Sequence, residues 1–161
     1  MKPAELLSLL REFHREKLTL RQRHVAVARH VSSYPFNNTY QYIIAREDVH
    51  LSWLEAAIAE LGGTADALDE PVLPAPGKKE GAGPFVQQDA REAEAFVARW
   101  RPRIGDVTHA RHRGMLQVVL GEMLEQKRFF DQILAGRDDV LGRRKDGAGT
   151  GDGVLGVRWL G

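Results

Sequence analysis

Cysteine is absent from this 161-residue chain, which excludes disulfides, thiolate zinc sites and cysteine nucleophiles. No apolar run approaches the ~20 residues that span a bilayer, and the amphipathic N-terminus is followed by no cleavage-site pattern. We therefore expect a cytoplasmic protein without a membrane partner. The 23 Lys and Arg residues nearly balance the 22 Asp and Glu residues, so the chain has no charge excess that would favour a nucleic acid partner.

The most strongly patterned stretch runs from Tyr40 to Leu61, YQYIIAREDVHLSWLEAAIAEL. Its apolar residues recur at helical spacing, which predicts a helix that buries a broad stripe. Glu47 and His50 interrupt this stripe one helical turn apart, at positions where core residues are expected. A buried carboxylate without a partner costs several kcal/mol. Either a divalent metal or a buried Arg or Lys must therefore neutralise Glu47.

The same spacing predicts three further helices. The first is expected from about Pro3 to Val31 and ends before Pro35. The patterned stretch is then the second helix, capped by Asn37 or Asn38 and closed by Gly62 and Gly63. The third is expected from about Phe85 to Arg101, with Pro102 as its stop. The fourth, capped by Asp106 or Thr108, runs to Ala135 and ends at Gly136.

These elements predict an all-α fold over residues 1–136. The short turn after the first helix makes the first two helices antiparallel neighbours, and the Pro- and Gly-rich stretch 64–84 is long enough to cross the length of a bundle. The expected fold is an antiparallel four-helix bundle of two helical hairpins joined by a long crossover loop. Residues 137–161 form a Gly-rich C-terminal tail, and a homodimer through its apolar patch Val154–Leu160, or through an outer apolar face, is compatible with this pattern.

Polar residues recur on the inner faces of the other helices. His24 lies on the seam of the first helix, and about ten residues separate both His24 and Glu47 from the turn, so the two are expected at similar depth. Asp89 and Glu92 share part of the inner face of the third helix. On the fourth helix, Glu122 with Glu125 or Gln126 lies amid apolar residues. Carboxylates and imidazoles suit iron, manganese or zinc.

This arrangement resembles the ferritin-like superfamily, and more specifically its rubrerythrin-like branch. The resemblance covers about residues 3–136 and rests on two segments: IAREDVH at 44–50, followed by LE at 54–55 and ELGG at 60–63, and LGEMLE at 120–125. It implies that Glu47 and Glu122 bridge or chelate metal and that His50 is a terminal ligand. It further implies one or two divalent metals, iron above all, and iron-dependent dioxygen or peroxide redox chemistry.

The candidate metal ligands are therefore drawn from all four helices: Glu47, His50, Glu122, Glu92, His24 and Glu125. Two positions depart from the family pattern, because His24 stands where the family uses Glu and Glu122-x-x-Glu125 lacks the family's His. These departures keep a second hypothesis open, in which the bundle binds no metal and acts as an interaction or assembly module. A polar network closed by Lys17, Arg21 or Arg91 would then neutralise Glu47.

His109 and His112 support a third hypothesis. Their segment, HARHRG at 109–114, faintly resembles the damage-inducible DinB-like bundles, which place a metal on three histidines. That hypothesis leaves Glu47 unexplained. His14 and His30 lie off the best seam, and we expect both at the surface.

Overall fold

The computed structural model describes residues 1–137, 140 and 141, and over these it contains four α-helices and no strand. The helices are α1 (Pro3–Ala28), α2 (Tyr34–Glu60), α3 (Gly83–Gly105) and α4 (Ala110–Leu134). The all-helical prediction is confirmed. In the described part of the chain, no helix combines the length and apolar character needed to cross a membrane. The C-terminal patch 154–160 lies outside the described residues.

The helices pack mainly as two pairs, α1 with α2 and α3 with α4. Within the first pair, Ala28 contacts Asn37 next to the connecting turn, and His24 and His14 contact Glu47 and Glu55 progressively farther from it. The expected similar depth of His24 and Glu47 is thus confirmed. Smaller interfaces join α1 to α3 and α2 to α4.

The connection between α2 and α3 runs beside α1 and has no helix or strand over residues 61–82. Three contacts follow one another along it. Asp66 accepts hydrogen bonds from Arg15, the backbone carbonyl of Leu68 accepts one from Gln22, and Glu70 pairs with Arg29. The connection therefore lies beside α1 between the end of α2 and the start of α3.

Several predicted helix limits were wrong. Helix α2 begins at Tyr34 rather than after Asn37 or Asn38, because Pro35 fits the first helical turn. The Asn37 side chain instead donates to the backbone carbonyls of Ala28 and Val31, beyond its own helix. Helix α4 begins after His109 and not after Asp106 or Thr108. The predicted glycine ends are confirmed, since Gly62 and Gly136 both adopt a positive φ of 80°.

Pro102 does not stop α3, which continues to Gly105. A proline in a helix interior costs about 3 kcal/mol through a lost hydrogen bond and a steric clash. Trp100 and Ile104, on either side of it, are both buried in the core. Burying a side chain of this size yields about 1.5–3 kcal/mol. Tertiary packing of the last turn therefore outweighs the local penalty.

Two apolar clusters fill the interior at different depths along the bundle. The first is centred on Phe13, Leu54, Phe96 and Trp100, and the second on Tyr40, Ile43 and Phe130. Phe13 packs edge-on against Phe96 and Trp100, with ring centroids 5.1 and 5.0 Å away. Val140, beyond α4, is buried against the second cluster.

Phe13→Ala should lower the free energy of unfolding by about 3–5 kcal/mol, because Phe13 is fully buried and its removal leaves a cavity between two aromatic rings. Urea unfolding followed by circular dichroism measures this loss. Tyr34→Ala is the matched control, since Tyr34 is 78% exposed and its loss should change stability by less than about 0.5 kcal/mol. A loss below about 1 kcal/mol for Phe13→Ala would contradict the packing described.

Candidate functional site

A layer of polar side chains separates the two apolar clusters, and all four helices contribute to it. We call it the central polar layer, and it consists of Lys17, His24, Tyr40, Glu47, His50, Asp89, Glu122 and Gln126. All but Glu122 are buried in an otherwise apolar interior. Buried polar groups require partners, so the pairing of this layer determines its chemistry.

Glu47 and His24 form a pair in which both side chains are almost completely buried. The His24 Nδ1–H donates to Glu47 Oε1. Burial alone would raise the pKa of Glu47, but His24 and Lys17 reverse that effect and lower it. Burial likewise opposes protonation of His24, yet the carboxylates of Glu47 and Asp89 raise its pKa above the ordinary value. The pair is therefore a buried histidine–carboxylate contact in which each group favours the charged form of the other.

Glu122 connects the layer to the surface between α2 and α4. Its Oε2 accepts a hydrogen bond from His50 Nε2 at 2.7 Å, and Arg46 donates to both of its oxygens at 2.8 and 3.0 Å. Partial burial would raise the pKa of Glu122, but the hydrogen bonds from His50 and Arg46 lower it to about 2. The pKa of His50 is lowered by burial despite this contact. Glu122 is therefore ionised, and it accepts hydrogen bonds from both His50 and Arg46.

Asp89 of α3 is the third carboxylate of the layer. The Tyr40 hydroxyl donates to its Oδ2 at 2.5 Å, and Arg23 Nε donates to its Oδ1 at 2.6 Å. His24 Nε2 lies 3.8 Å from the same Oδ1. Burial and the negative charge of Asp89 raise the pKa of Tyr40 well above its ordinary value. Tyr40 is consequently a neutral donor that ties α2 to α3.

Lys17 is completely buried, which is rare for a lysine. Its Nζ lies 3.0 Å from Met123 Sδ. Burial lowers the pKa of Lys17, while the negative charges of Glu47 and Glu122 oppose that change. Burial therefore disfavours the charged form of this amino group, while the two carboxylates predicted as principal metal ligands favour it.

Several buried polar atoms of the layer have no hydrogen-bond partner among the described residues. They are His24 Nε2, Glu47 Oε2, His50 Nδ1 and both side-chain amide atoms of Gln126. Each such atom carries a desolvation penalty of about 1–3 kcal/mol unless something satisfies it. The atoms come from α1, α2 and α4. The layer thus has unused capacity to bind a cation or water.

The other two predicted ligands lie away from the buried part of the layer. The Glu92 side chain is 35% exposed, with Arg23 3.7 Å away and a hydrogen bond from Gln88. Glu125 pairs with Arg128 one turn along its own helix. Within residues 1–137, 140 and 141, no three His, Asp or Glu side chains are grouped closely enough to hold a metal ion. The carboxylates instead form ion pairs and hydrogen bonds with neighbouring histidines and arginines.

Only one of the three basic residues that were predicted to neutralise Glu47 lies in the layer. Of the three cations proposed to neutralise Glu47, Lys17 is in the layer, whereas Arg21 pairs with Asp48 and Arg91 is exposed. Arg23 and Arg46 were missed as partners of the layer. A long arginine can reach the core from the edge of a helix face, so inward-facing periodicity does not identify it.

The remaining histidines lie outside the layer. His14 is buried, contrary to the expected surface position, and its Nε2 lies 3.4 Å from Glu55. His109 and His112 lie at the start of α4, with their Nδ1 atoms 2.9 Å apart. Burial and neighbouring positive charge lower the pKa of His112. His30 is partly exposed against Phe85.

Comparison with known protein families, with curated proteins and with solved structures finds no match. The chemistry of the layer must therefore be argued from its own residues.

Arg46→Gln should weaken the acid resistance of the fold. Because the folded pKa of Glu122 is about 2, below the ordinary 4.5, its interactions stabilise the protein fully above about pH 4.5 and are lost as the pH falls towards 2. Removing Arg46 raises the folded pKa, so the stabilisation is smaller and disappears at higher pH. Urea unfolding at pH values from 7 to 2 measures this change.

Arg111→Gln is the control for that experiment. It breaks a comparable two-oxygen contact with Glu60, but on solvent-exposed side chains, where an ion pair contributes little. Identical pH profiles for the two variants would show that the Arg46–Glu122 contact has no special role.

Proposed function

We propose that this chain is an antiparallel bundle of the ferritin-like type. Contacts between α1 and α3 support it, since residues ever earlier in α1 meet residues ever later in α3: Arg23 contacts Asp89, Glu16 contacts Trp100 and Glu12 contacts Arg103. Contacts between α2 and α4 follow the same order, from Tyr42 and Phe129 through Arg46 and Glu122 to Glu60 and Arg111. Together with the crossover along α1, these contacts favour two hairpins packed side by side.

The residues present do not fit a complete two-metal centre. Such centres use a carboxylate from each of two helices and a Glu-x-x-His motif from each of the other two. Here α1 contributes Lys17 and His24, α4 contributes no His beside Glu122, and Glu92 and Glu125 lie beside arginines. The buried side chain of Lys17 also occupies part of the layer and supplies no carboxylate ligand.

The same residues do fit a single divalent ion in their chemistry. We propose that Glu47, His24, His50 and Glu122 bind one such ion of the iron, manganese or zinc class. The observation that carries this proposal is Glu47, a completely buried carboxylate whose Oε2 has no partner among the described residues. The unpartnered ring nitrogens of His24 and His50 support it, because neutral imidazole nitrogen is a common metal ligand.

Binding at this site would require the proposed ligands to move closer together, since no three of them are grouped around one point in the described residues, and the protein to rearrange its own ion pairs. Arg46 would release Glu122, which is feasible because Arg46 is partly exposed and can extend into solvent. The cleft between α2 and α4 beside Arg46 and Glu122 would provide the route, since it holds a small cavity that Gln126 also lines. When bound, an iron or manganese ion would supply one-electron redox chemistry, and a zinc ion Lewis acidity.

The second candidate is a metal-free bundle that acts as an interaction or assembly module. The charge balance of the layer favours it. Each of the three carboxylates already contacts a basic side chain: Glu47 contacts His24, Asp89 contacts Arg23, and Glu122 contacts Arg46. A layer that is already balanced has a weaker electrostatic need for a divalent ion.

Metal content distinguishes the two candidates. Protein purified without added metal, and again after anaerobic loading with Fe(II) or with Mn²⁺, should hold about one ion per chain by elemental analysis. Glu47→Ala/His50→Ala should lose that ion, because it lacks two of the proposed ligands. Wild type as empty as this variant would overturn the metal proposal and leave the metal-free bundle.

Glu92→Ala/Glu125→Ala is the matched control. It removes the same number of predicted ligands, but from side chains that lie beside Arg23 and Arg128 and are not among the four proposed ligands. Its metal content should equal that of wild type. Two ions in wild type and one in this control would instead indicate that the outer carboxylates hold a second ion.

A further inference from the structure

Two histidines at the start of α4, His109 and His112, lie outside the central polar layer, and we call them the histidine pair. Their Nδ1 atoms are 2.9 Å apart and their ring centroids 4.3 Å apart. His109 is the N-cap residue of α4, yet its side chain makes no capping hydrogen bond to the backbone. It contacts the side chain three residues later instead. The contact therefore links the N-cap of α4 to the first turn of the helix.

The two rings differ in their access to water. His109 is exposed, whereas His112 is only 4% exposed and its Nε2 is buried with no hydrogen-bond partner among the described residues. A buried N–H without a partner is rarer in folded proteins than a buried acceptor without one. The ring proton of His112 is therefore placed on Nδ1, from which it donates to Nδ1 of His109.

This arrangement leaves no favourable place for an additional proton. A proton on Nδ1 of His109 removes the acceptor of the contact, because both facing nitrogens would then be donors. Moving the His112 proton to Nε2 would restore an acceptor, but it would create a buried N–H without a partner. A proton added directly to Nε2 of His112 has the same cost and buries a charge as well. Acid therefore either breaks the contact or destabilises the folded start of α4.

The surroundings of the pair oppose its protonation on balance. Among the described residues, the groups that act electrostatically on His112 are His109, Arg111 and Glu60, and α3 adds none although it packs against α4. Glu60 of α2 favours a charged imidazole, but both of its carboxylate oxygens accept hydrogen bonds from Arg111. Burial, His109 and Arg111 lower the pKa of His112. The positive end of the helix dipole of α4 acts in the same direction.

We propose that the histidine pair is an acid-sensitive latch, which holds the first turn of α4 in place at neutral pH and releases it when the pair takes up a proton. The latch goes beyond the proposed function and uses none of the proposed metal ligands. Because the folded pKa of His112 is lowered from the ordinary 6.5, the released turn binds more protons than the folded one. The stabilisation is therefore complete above about pH 6.5 and is lost as the pH falls towards the folded pKa.

Hydrogen–deuterium exchange at the start of α4 tests the latch. Mass spectrometry compares the backbone amides of residues 113–118, beginning with the Arg113 N–H that donates to the His109 carbonyl, at about pH 7.5 and about pH 5.5. After correction for intrinsic exchange, protection of this segment should fall by about fivefold to tenfold in acid. A released histidine gains roughly tenfold from protonation one pH unit below its ordinary pKa. Residues 128–134, later in the same helix, should change by less than about twofold.

Two variants separate the latch from a general effect of acid. His112→Gln keeps a side-chain amide that can both donate and accept, so its contact with His109 survives protonation of His109. This variant should lose the acid response of residues 113–118. His30→Gln is the matched control, because it removes a partly exposed histidine beside Phe85, and it should keep the full response. Circular dichroism at neutral pH establishes whether both variants keep their helices.

NMR of the imidazole nitrogens provides a second measurement on the natural chain, so the outcome does not depend on whether His112→Gln folds. At neutral pH it should show the His112 proton on Nδ1 and no proton on Nε2. A proton on Nε2, unchanged protection of wild type in acid, or an equal acid response in His112→Gln would each overturn the latch. Loss of the response in His112→Gln together with its retention in His30→Gln would support it.

Discussion

The rest of the structure depends on the completely buried carboxylate of Glu47. A charge removed from water must be compensated nearby, because the effective desolvation penalty is several kcal/mol per ion. His24 meets this requirement across the hairpin and fixes the depth at which α1 and α2 pack. Lys17 of the same helix is also completely buried, so one side of α1 faces the layer at two successive levels. A helical slip in either direction would leave Glu47 without His24.

The fold was predictable in outline because local sequence patterns determine where its helices lie. Apolar spacing identifies each helix, and the glycines at 62 and 136 end two of them as expected. The shared depth of His24 and Glu47 followed from counting residues on either side of a short turn. Helix beginnings were less predictable. Ser33 and Pro35 start α2 ahead of the asparagines, and Asn37 serves the previous helix instead.

The relative positions of the site residues were predictable only for α1 and α2, because a short turn connects these two helices. The rotation of α3 depends on its packing against α1, which the long crossover does not specify, so the sequence could not decide between Asp89 and Glu92. The structure buries Asp89, because Tyr40 and Arg23 satisfy it from two other helices. Arg46 was missed for a similar reason. Its partner Glu122 is 76 residues away, and its long side chain bridges from the edge of the helix face.

The presence of so many polar residues in this core requires a physical explanation. Replacing a buried ion pair with well-packed apolar residues is often neutral or stabilising, so stability alone does not account for a layer of eight polar side chains. Pairing specificity is one reason, since each carboxylate here contacts partners from other helices and so fixes their relative positions. The unpartnered atoms of His24, Glu47 and His50 are not explained by specificity, because an unsatisfied group contributes to no pairing. An ordered water or a bound ion would satisfy them, and the apolar surroundings offer no other partner among the described residues.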